Sequence, residues 1–261
     1  MTILPGTRTD CGLGAQPPNP ALVERANLRK SHSGLMVKLI FLCQRRADIS
    51  HARYVELLLH GHVPIALTHH PTMQHYVVNI VEQNPAGWED LDSIGELTFA
   101  TLDDFRDRLY DSPAGQKIVQ HDVAGFMGRA QAYATTSHVQ RSPATPSPLG
   151  ARSPGVKLIC PLVRRPDMTH VSFVDHWLSH HVPLALRHHP AMSKYVTNVV
   201  DQQLSHGGLE LDGIAELHFP SSDALERGMF DSPEGERIIR EDIARFISRA
   251  AAYRVAEYRQ K

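Results

Sequence analysis

Residues 37–83 read VKLIFLCQRRADISHARYVELLLHGHVPIALTHHPTMQHYVVNIVEQ, and residues 156–202 read VKLICPLVRRPDMTHVSFVDHWLSHHVPLALRHHPAMSKYVTNVVDQ. Laid over each other at an offset of 119, they agree at 24 of 47 positions without a gap. One inserted residue moves the offset to 120, and residues 91–133 then agree with 211–253 at 19 of 43 positions. The chain carries one module twice. The period is far longer than the ~20–50 residues of solenoid repeats, so each copy is expected to be a complete supersecondary unit with its own core.

Each copy opens on an apolar run, residues 37–43 and 156–163, short enough for a strand buried on both faces. Pro161 marks the second as an edge or bulged strand. A helix follows Ser50 or Thr169, both good N-caps, with Tyr54, Leu58 and His62, or Phe173, Trp177 and His181, on one stripe. It is expected to stop or kink at Val63 and Val182, ahead of Pro64 and Pro183. Residues 73–81 and 192–200 read as second strands and 93–99 and 213–219 as third strands. A second helical region begins near Thr101 and Ser221 and includes a shared DSPxG at 111–115 and 231–235; fourth strands are expected near 130–138 and 250–258. The order β-α-β-β-α-β is ferredoxin-like and the class α+β.

A ferredoxin-like sheet is covered by helices on one face only, yet the first strand is apolar on both. Two copies on one chain answer this by packing their bare faces together as an intramolecular, pseudo-dimeric α/β barrel, with the space between them as the natural pocket. The proline-containing segment 137–155 divides the copies, giving an extension at 1–35 with a short helix at 21–30, a first domain at 36–139, a linker at 140–155 and a second domain at 156–261.

Composition narrows the partner. Lys and Arg number 27 against 28 Asp and Glu, so no field of one sign draws nucleic acid or an anionic membrane, and a small-molecule substrate is expected. Three scattered cysteines suit a reducing compartment, and with no apolar run of signal-peptide or membrane-spanning length the expected location is cytoplasmic. No Gly-rich phosphate loop, GxSxG elbow or CxxC occurs. Histidine stands out instead: 12 of the 17 fall in two windows, 51–75 and 170–189.

His62 and His181 sit on the core-facing stripe, two residues before the proline. The helix C-terminus favours the imidazolium there and burial opposes it, a balance that suits a general acid or base; the alternative is a core histidine bonded to a free carbonyl. The adjacent pairs His69–His70 and His188–His189 cannot both turn inward, and one member of each is expected to reach the site. Tyr76 with Asn79, and Tyr195 with Asn198, are hydrogen-bonding residues three apart, hence on opposite faces of a regular strand. Glu96, Glu216, Asp122 and Asp242 recur between copies and read as solvated carboxylates, with orientation of a histidine as the other reading. A metal held by His62, His69, His70 and a carboxylate lacks the i, i+4 helical spacing of zinc hydrolases, and no metal is expected.

The segment FVDHWLSHHVPLALRHHP at 173–190 resembles the EthD family of the dimeric α/β-barrel superfamily. His176, Trp177, His181, Pro183, Leu184 and Ala185 fit its HWxxxHxPLA pattern, with Tyr195 and Asn198 in the next strand. The first copy keeps His62, Pro64, Ala66, Tyr76 and Asn79 but has Leu57 and Leu58 in place of His176 and Trp177, which marks the second copy as the richer site. The resemblance implies a cofactor-free lyase or isomerase, dehydratase- or decarboxylase-like, acting on a small apolar, aromatic or polyketide-like molecule. In that scheme His181, His62, His189 and His70 move protons and Tyr195 or Asn198 stabilises an oxyanion. His176, Trp177, Tyr76, Asn79, His188, His69 and, as a lid, Trp88 would contact substrate. Cofactor-independent monooxygenation or haem handling is the alternative, and a non-catalytic binding protein the third; association into a homodimer stays open.

Overall fold

A computed structural model describes residues 36–143 and 147–261. The extension at 1–35, with its expected helix at 21–30, lies outside the described residues. The first repeat runs β1 (Val37–Arg45), α1 (residues 51–69), β2 (His75–Gln83), β3 (Ser93–Phe99), the short α2 (Leu102–Arg106), α3 (Pro113–Phe126) and β4 (Met127–Arg141). The second runs β5 (Val156–Arg164), α4 (residues 170–188), β6 (Lys194–Gln203), β7 (Gly213–Phe219), α5 (Ser222–Gly228), α6 (Pro233–Phe246), β8 (Ile247–Ala250) and β9 (Tyr253–Arg259). The α+β expectation and the closed barrel both hold.

All strand pairings are antiparallel, and the fourth strands join the repeats: β4 lies between its own β1 and β6 of the other repeat, and β9 between its own β5 and β2. The ring runs β1-β3-β2-β9-β5-β7-β6-β4 and closes on β1, with β8 continuing β9 along β5. Pro161 does not put β5 at an edge. The strand is paired on both sides, and the ladder lapses only between Ile159–Tyr253 and Leu162–Ala250, opposite the proline that has no N–H to give. β4 runs to Arg141, so the start of the segment read as proline-rich connection is strand.

The helices pass their prolines without stopping. Ser50 and Thr169 cap them as expected. Residues 57–62 and 177–181 then widen into a π-helical turn, with the Val63 N–H reaching Leu58 O and the Val182 N–H reaching Trp177 O. A turn of five-residue spacing relieves the clash and the missing donor that a proline brings to α geometry, so Pro64 and Pro183 begin a new α segment instead of ending the helix.

Period-2 alternation sorts each strand between two cores. Leu39 and Leu158 face outward into helix-covered clusters containing Tyr54, Leu58 and Phe126, or Phe173, Trp177 and Phe246. Ile40, Ile94, Tyr133, Ile159, Ile214 and Tyr253 face the lumen and fill one end of it. The other end is ionic. Lys38 Nζ lies 2.8 Å from both Glu96 and Glu216. Lys157 Nζ lies 2.6 Å from Glu96 and 2.9 Å from Glu216 and from Glu257. Burial alone would discharge these groups, but mutual attraction outweighs it: both ammoniums are held above, and the three carboxylates below, their ordinary pKa ranges.

Two expectations are corrected here. Glu96 and Glu216 are buried ion-pair partners, not solvated carboxylates. The space between the repeats holds this side-chain packing where a ligand chamber was expected, since an eight-stranded barrel is just wide enough for its own side chains.

Truncating one partner of a buried ion network leaves uncompensated charge and costs roughly 3–5 kcal/mol. Lys157→Met, which removes the cation shared by three carboxylates, is expected to lower unfolding stability by about that much in urea melts, whereas exposed Arg46→Met should shift it by under about 0.5 kcal/mol.

Candidate functional site

With the lumen filled, the repeated histidines gather on the outer side of the sheet, against the helices. In α1, the His62 Nδ1 lies 2.8 Å from Asp122 Oδ2 of α3, with the imidazole 5.5 Å from the Phe126 ring. In α4, the His181 Nδ1 lies 2.9 Å from Asp242 Oδ2 of α6, 5.2 Å from the Phe246 ring. A carboxylate only accepts, so Nδ1–H donates, and in the neutral imidazole this tautomer puts the lone pair on Nε2. These are oriented imidazole bases, and of the two readings for Asp122 and Asp242 the histidine-orienting one is the one realised.

The two neighbouring histidines of each pair take different partners, but the expected division into one inward and one outward member fails in the second repeat, where His188 and His189 are both buried. His70 and His189, both 5% exposed, direct Nδ1 at the Leu109 and Met229 carbonyls, at 3.1 and 2.6 Å. A carbonyl fixes the same tautomer. Burial, partly offset by that hydrogen bond, lowers both imidazoles below the ordinary histidine range, so both are neutral at pH 7.

His69 and His188 bond instead to Asp111 and Asp231 of the DSPxG motifs, each at 3.0 Å. The motif, which the sequence left without a role, is a clamp. Its aspartate takes the histidine, its serine caps α3 or α6, and its glycine leaves room, since a Cβ on Gly115 or Gly235 would stand 2.0 Å from the aspartate Oδ1. A further pair at the start of each helix, His51–Asp92 and His170–Asp212, was also missed.

The tyrosines and asparagines part company at the sheet. Tyr76 and Tyr195 are buried in the helix-side clusters, and burial pushes both phenols up from their ordinary pKa. Asn79 and Asn198 face the lumen, where each Nδ2–H₂ donates to a third-strand carbonyl at 2.9 Å and to Glu96 or Glu216 at 2.8 or 2.9 Å. Asn198 therefore stands across the sheet from His181. His176 and Trp177 join the second repeat's cluster: His176 Nε2 lies 2.9 Å from Asp242 Oδ1, and Trp177 Nε1–H donates to Tyr195 Oη at 3.2 Å. Trp88 lies apart, under the Arg249 guanidinium, in a surface hollow of about 560 Å³ with Glu89, Arg129 and Leu209.

The metal set considered from sequence does not assemble, because His62, His69 and His70 go to three different partners. Among the described residues no group of three or more histidine, cysteine or acidic side chains is placed to hold a metal ion. Nor do the buried imidazoles suit a haem: His70 and His189 are packed 5.3 and 5.1 Å from the Tyr110 and Phe230 rings.

A closed barrel of two ferredoxin-like repeats joined edge to edge, with a histidine–aspartate pair under each helix layer, defines a tandem α/β-barrel protein. The EthD domain matches twice, over residues 46–130 and 165–250, and the chain belongs to that family. Three solved structures share the fold at low identity. One described as anthrone oxidase-like has TM-score 0.58 and 12% identity, covering 88% of this chain and 94% of that one. A putative monooxygenase from Lactobacillus acidophilus gives 0.52 and 9%, covering 87% and 96%. Another from Fusobacterium nucleatum gives 0.54 and 6%, covering 87% and 94%. No curated protein matches the chain.

These names overturn the lyase or isomerase expectation, including its dehydratase and decarboxylase forms, and agree with the oxygen-using alternative. The geometry corrects a second point: proton transfer was expected in a barrel chamber, while the imidazoles lie outside the barrel. Among the described residues no helix is long and apolar enough to cross a membrane.

The aspartates set an acid limit. Burial would raise the Asp242 carboxyl, but the hydrogen bonds from His181 and His176 outweigh it and hold it below the usual range. A depressed folded-state pKa adds stability that is complete above the unfolded value and lost as pH falls through the folded one. Asp242→Asn is therefore expected to be less stable at pH 7 and to lose less than the wild type below about pH 4, read as urea midpoints between pH 7 and 3.

Proposed function

We propose that this protein is a cofactor-independent oxygenase acting on a small, electron-rich aromatic carbon acid. The observation that carries the reading is the aspartate-oriented imidazole, partly buried in the first repeat and buried in the second, standing in an aromatic layer with a buried tyrosine. The aspartate fixes the tautomer and stabilises the imidazolium that forms when Nε2 accepts a proton, and the apolar surroundings favour a substrate whose charge is delocalised. The names of the similar folds support oxygen as the partner of the anion so made.

Anthrone shows how the chemistry balances. Removal of a C10 proton by Nε2 gives the anthranol anion. Dioxygen takes the electrons, one oxygen atom becomes the new C10 carbonyl, and the other leaves as water with the two hydrogens lost from that carbon. His62 and His181 are the bases of this reading, Asp122 and Asp242 position them, and the neutral His70 and His189 are further proton acceptors beside them. The non-catalytic alternative shares the pocket chemistry without turnover.

The test is aerobic incubation with anthrone, following dioxygen uptake and anthraquinone absorbance. The expected result is one dioxygen consumed per quinone at a rate well above autoxidation, falling ~10²–10⁴-fold in the His62→Ala/His181→Ala double variant. A wild-type rate equal to autoxidation removes the oxygenase reading; anthrone bound under those conditions without turnover selects the binding protein.

A further inference from the structure

At the apolar end of the barrel the two repeats meet in a hollow that the histidine site does not use. Its walls are Trp88 and Glu89 of the loop between β2 and β3, Leu209 of the loop between β6 and β7, and Arg129 and Arg249 from matching places in β4 and β8. Its volume, about 560 Å³, falls in the range of small-molecule sites. Trp88 and Leu209 pack onto the lumen cluster of isoleucines and tyrosines, which gives the hollow an apolar floor.

The walls are preorganised. Each loop is pinned by the lumen tyrosine of the other repeat: Tyr253 Oη–H donates to Glu89 O and Tyr133 Oη–H to Leu209 O, both at 2.7 Å. Burial pushes both phenols up to about 12, so both remain donors at pH 7. The Glu89 carboxylate is held in turn by Arg129 at 3.2 Å and by Gln131 at 2.6 Å.

Charge singles out one residue of the wall. Of four arginines at these strand ends, Arg45 and Arg164 meet Asp92 and Asp212, and Arg129 meets Glu89. Arg249 has no carboxylate partner and no side-chain hydrogen bond among the described residues; its guanidinium stands 4.6 Å from the centre of the Trp88 ring. The ring face attracts the cation and fixes its place, but the guanidinium N–H groups still lack the planar acceptor they fit best. Arg129 and Arg249 against Glu89 leave the hollow a net charge of +1, which suits a monoanion.

We propose that this hollow is a second ligand site, one that takes a flat aromatic carboxylate. The carboxylate meets the Arg249 guanidinium, and the ring lies against Leu209 and the exposed part of Trp88. An aliphatic acid would gain the charge without the apolar wall, and a neutral aromatic the wall without the charge. The site is separate from His62 and His181, which lie on the outer side of the sheet, and it does not rest on the oxygenase reading.

Isothermal titration of the full chain with 2-naphthoate tests the proposal, with 2-naphthamide as the neutral molecule of the same shape. One equivalent of naphthoate is expected to bind. Affinity is expected to fall roughly 10–100-fold in Arg249→Ala, which removes the charge-assisted hydrogen bonds from an exposed position, and about 3–10-fold in Trp88→Leu. The amide is expected to bind the wild type no better than naphthoate binds Arg249→Ala. No heat with naphthoate, equal affinity for the amide, or undiminished affinity in Arg249→Ala overturns the site.

Hydrogen exchange locates the ligand. Naphthoate is expected to slow amide exchange in residues 84–91 and 204–211 of the wild type, and not in Arg249→Ala at the same concentration. Unchanged exchange in both loops, or protection confined to α1 and α4, overturns the proposal. Failure of anthrone turnover leaves it standing.

Discussion

Two lysines inside a closed barrel decide where this protein can do chemistry. Lys38 and Lys157 stand at matching positions of the duplicated first strand and share Glu96 and Glu216 across the lumen. Each of these two carboxylates bonds both lysines, so every one of the four groups has a partner in its own repeat and another across the lumen. The network ties the repeats into one register, and its desolvation cost is met only in the closed ring. A lumen committed to that bonding at one end and to isoleucine and tyrosine at the other leaves the outer, helix-covered face as the place for a site.

On that face histidine does two jobs that composition cannot separate. Three histidine–aspartate pairs common to both repeats fasten the first helix, at its start to the loop before β3 or β7, at its middle to α3 or α6, and at its end to the DSPxG turn, and the second repeat adds His176 on Asp242. Surface ion pairs contribute little to stability, and the end pairs are partly exposed, so their role is to fix where the helix lies. The middle pair is different in kind. It falls on the π-helical turn, where the wider spacing shifts the residues that follow relative to the sheet.

Most of the fold was legible because period-2 and helical patterns are local and the duplication let one copy check the other. The strands fall within a few residues of their expected limits, and the third strands, 93–99 and 213–219, coincide with theirs. What misled was a single-residue rule. Proline ends a helix only if the helix stays α, and nothing local announces a π turn. The site was half legible. The histidines and tyrosines were identifiable as types, and the three-residue spacing rightly separated Tyr195 from Asn198. Their partners were not, because Asp122 and Asp231 lie more than forty residues from the histidines they serve, and a lone aspartate in a polar helix looks the same whether it meets water or an imidazole. Lys38 and Lys157 carried a signal that went unused: a charge at the same place in two otherwise apolar strands needs an internal partner, and the recurring glutamates were the candidates.

Duplication also explains how the halves could drift apart. In a symmetric dimer any substitution appears in both halves, so a bulky side chain such as Trp177 would stand in both helix–sheet layers. On one chain the substitutions are independent, and the lumen shows the same freedom. Asn198 receives a hydrogen bond from Ser137 at 2.6 Å, while the matching Asn79 faces Glu257, which already accepts from Lys157, Ser147 and Ser153. Burial, reinforced by the Lys157 charge, pushes His218 down to about 4, whereas the first repeat has the non-ionising Thr98 at that place. The second repeat has thus gained buried ionisable groups inside the barrel and an indole in the layer outside it. Both differences add packing and fixed charge to one half, so the duplicated scaffold carries two unlike interiors.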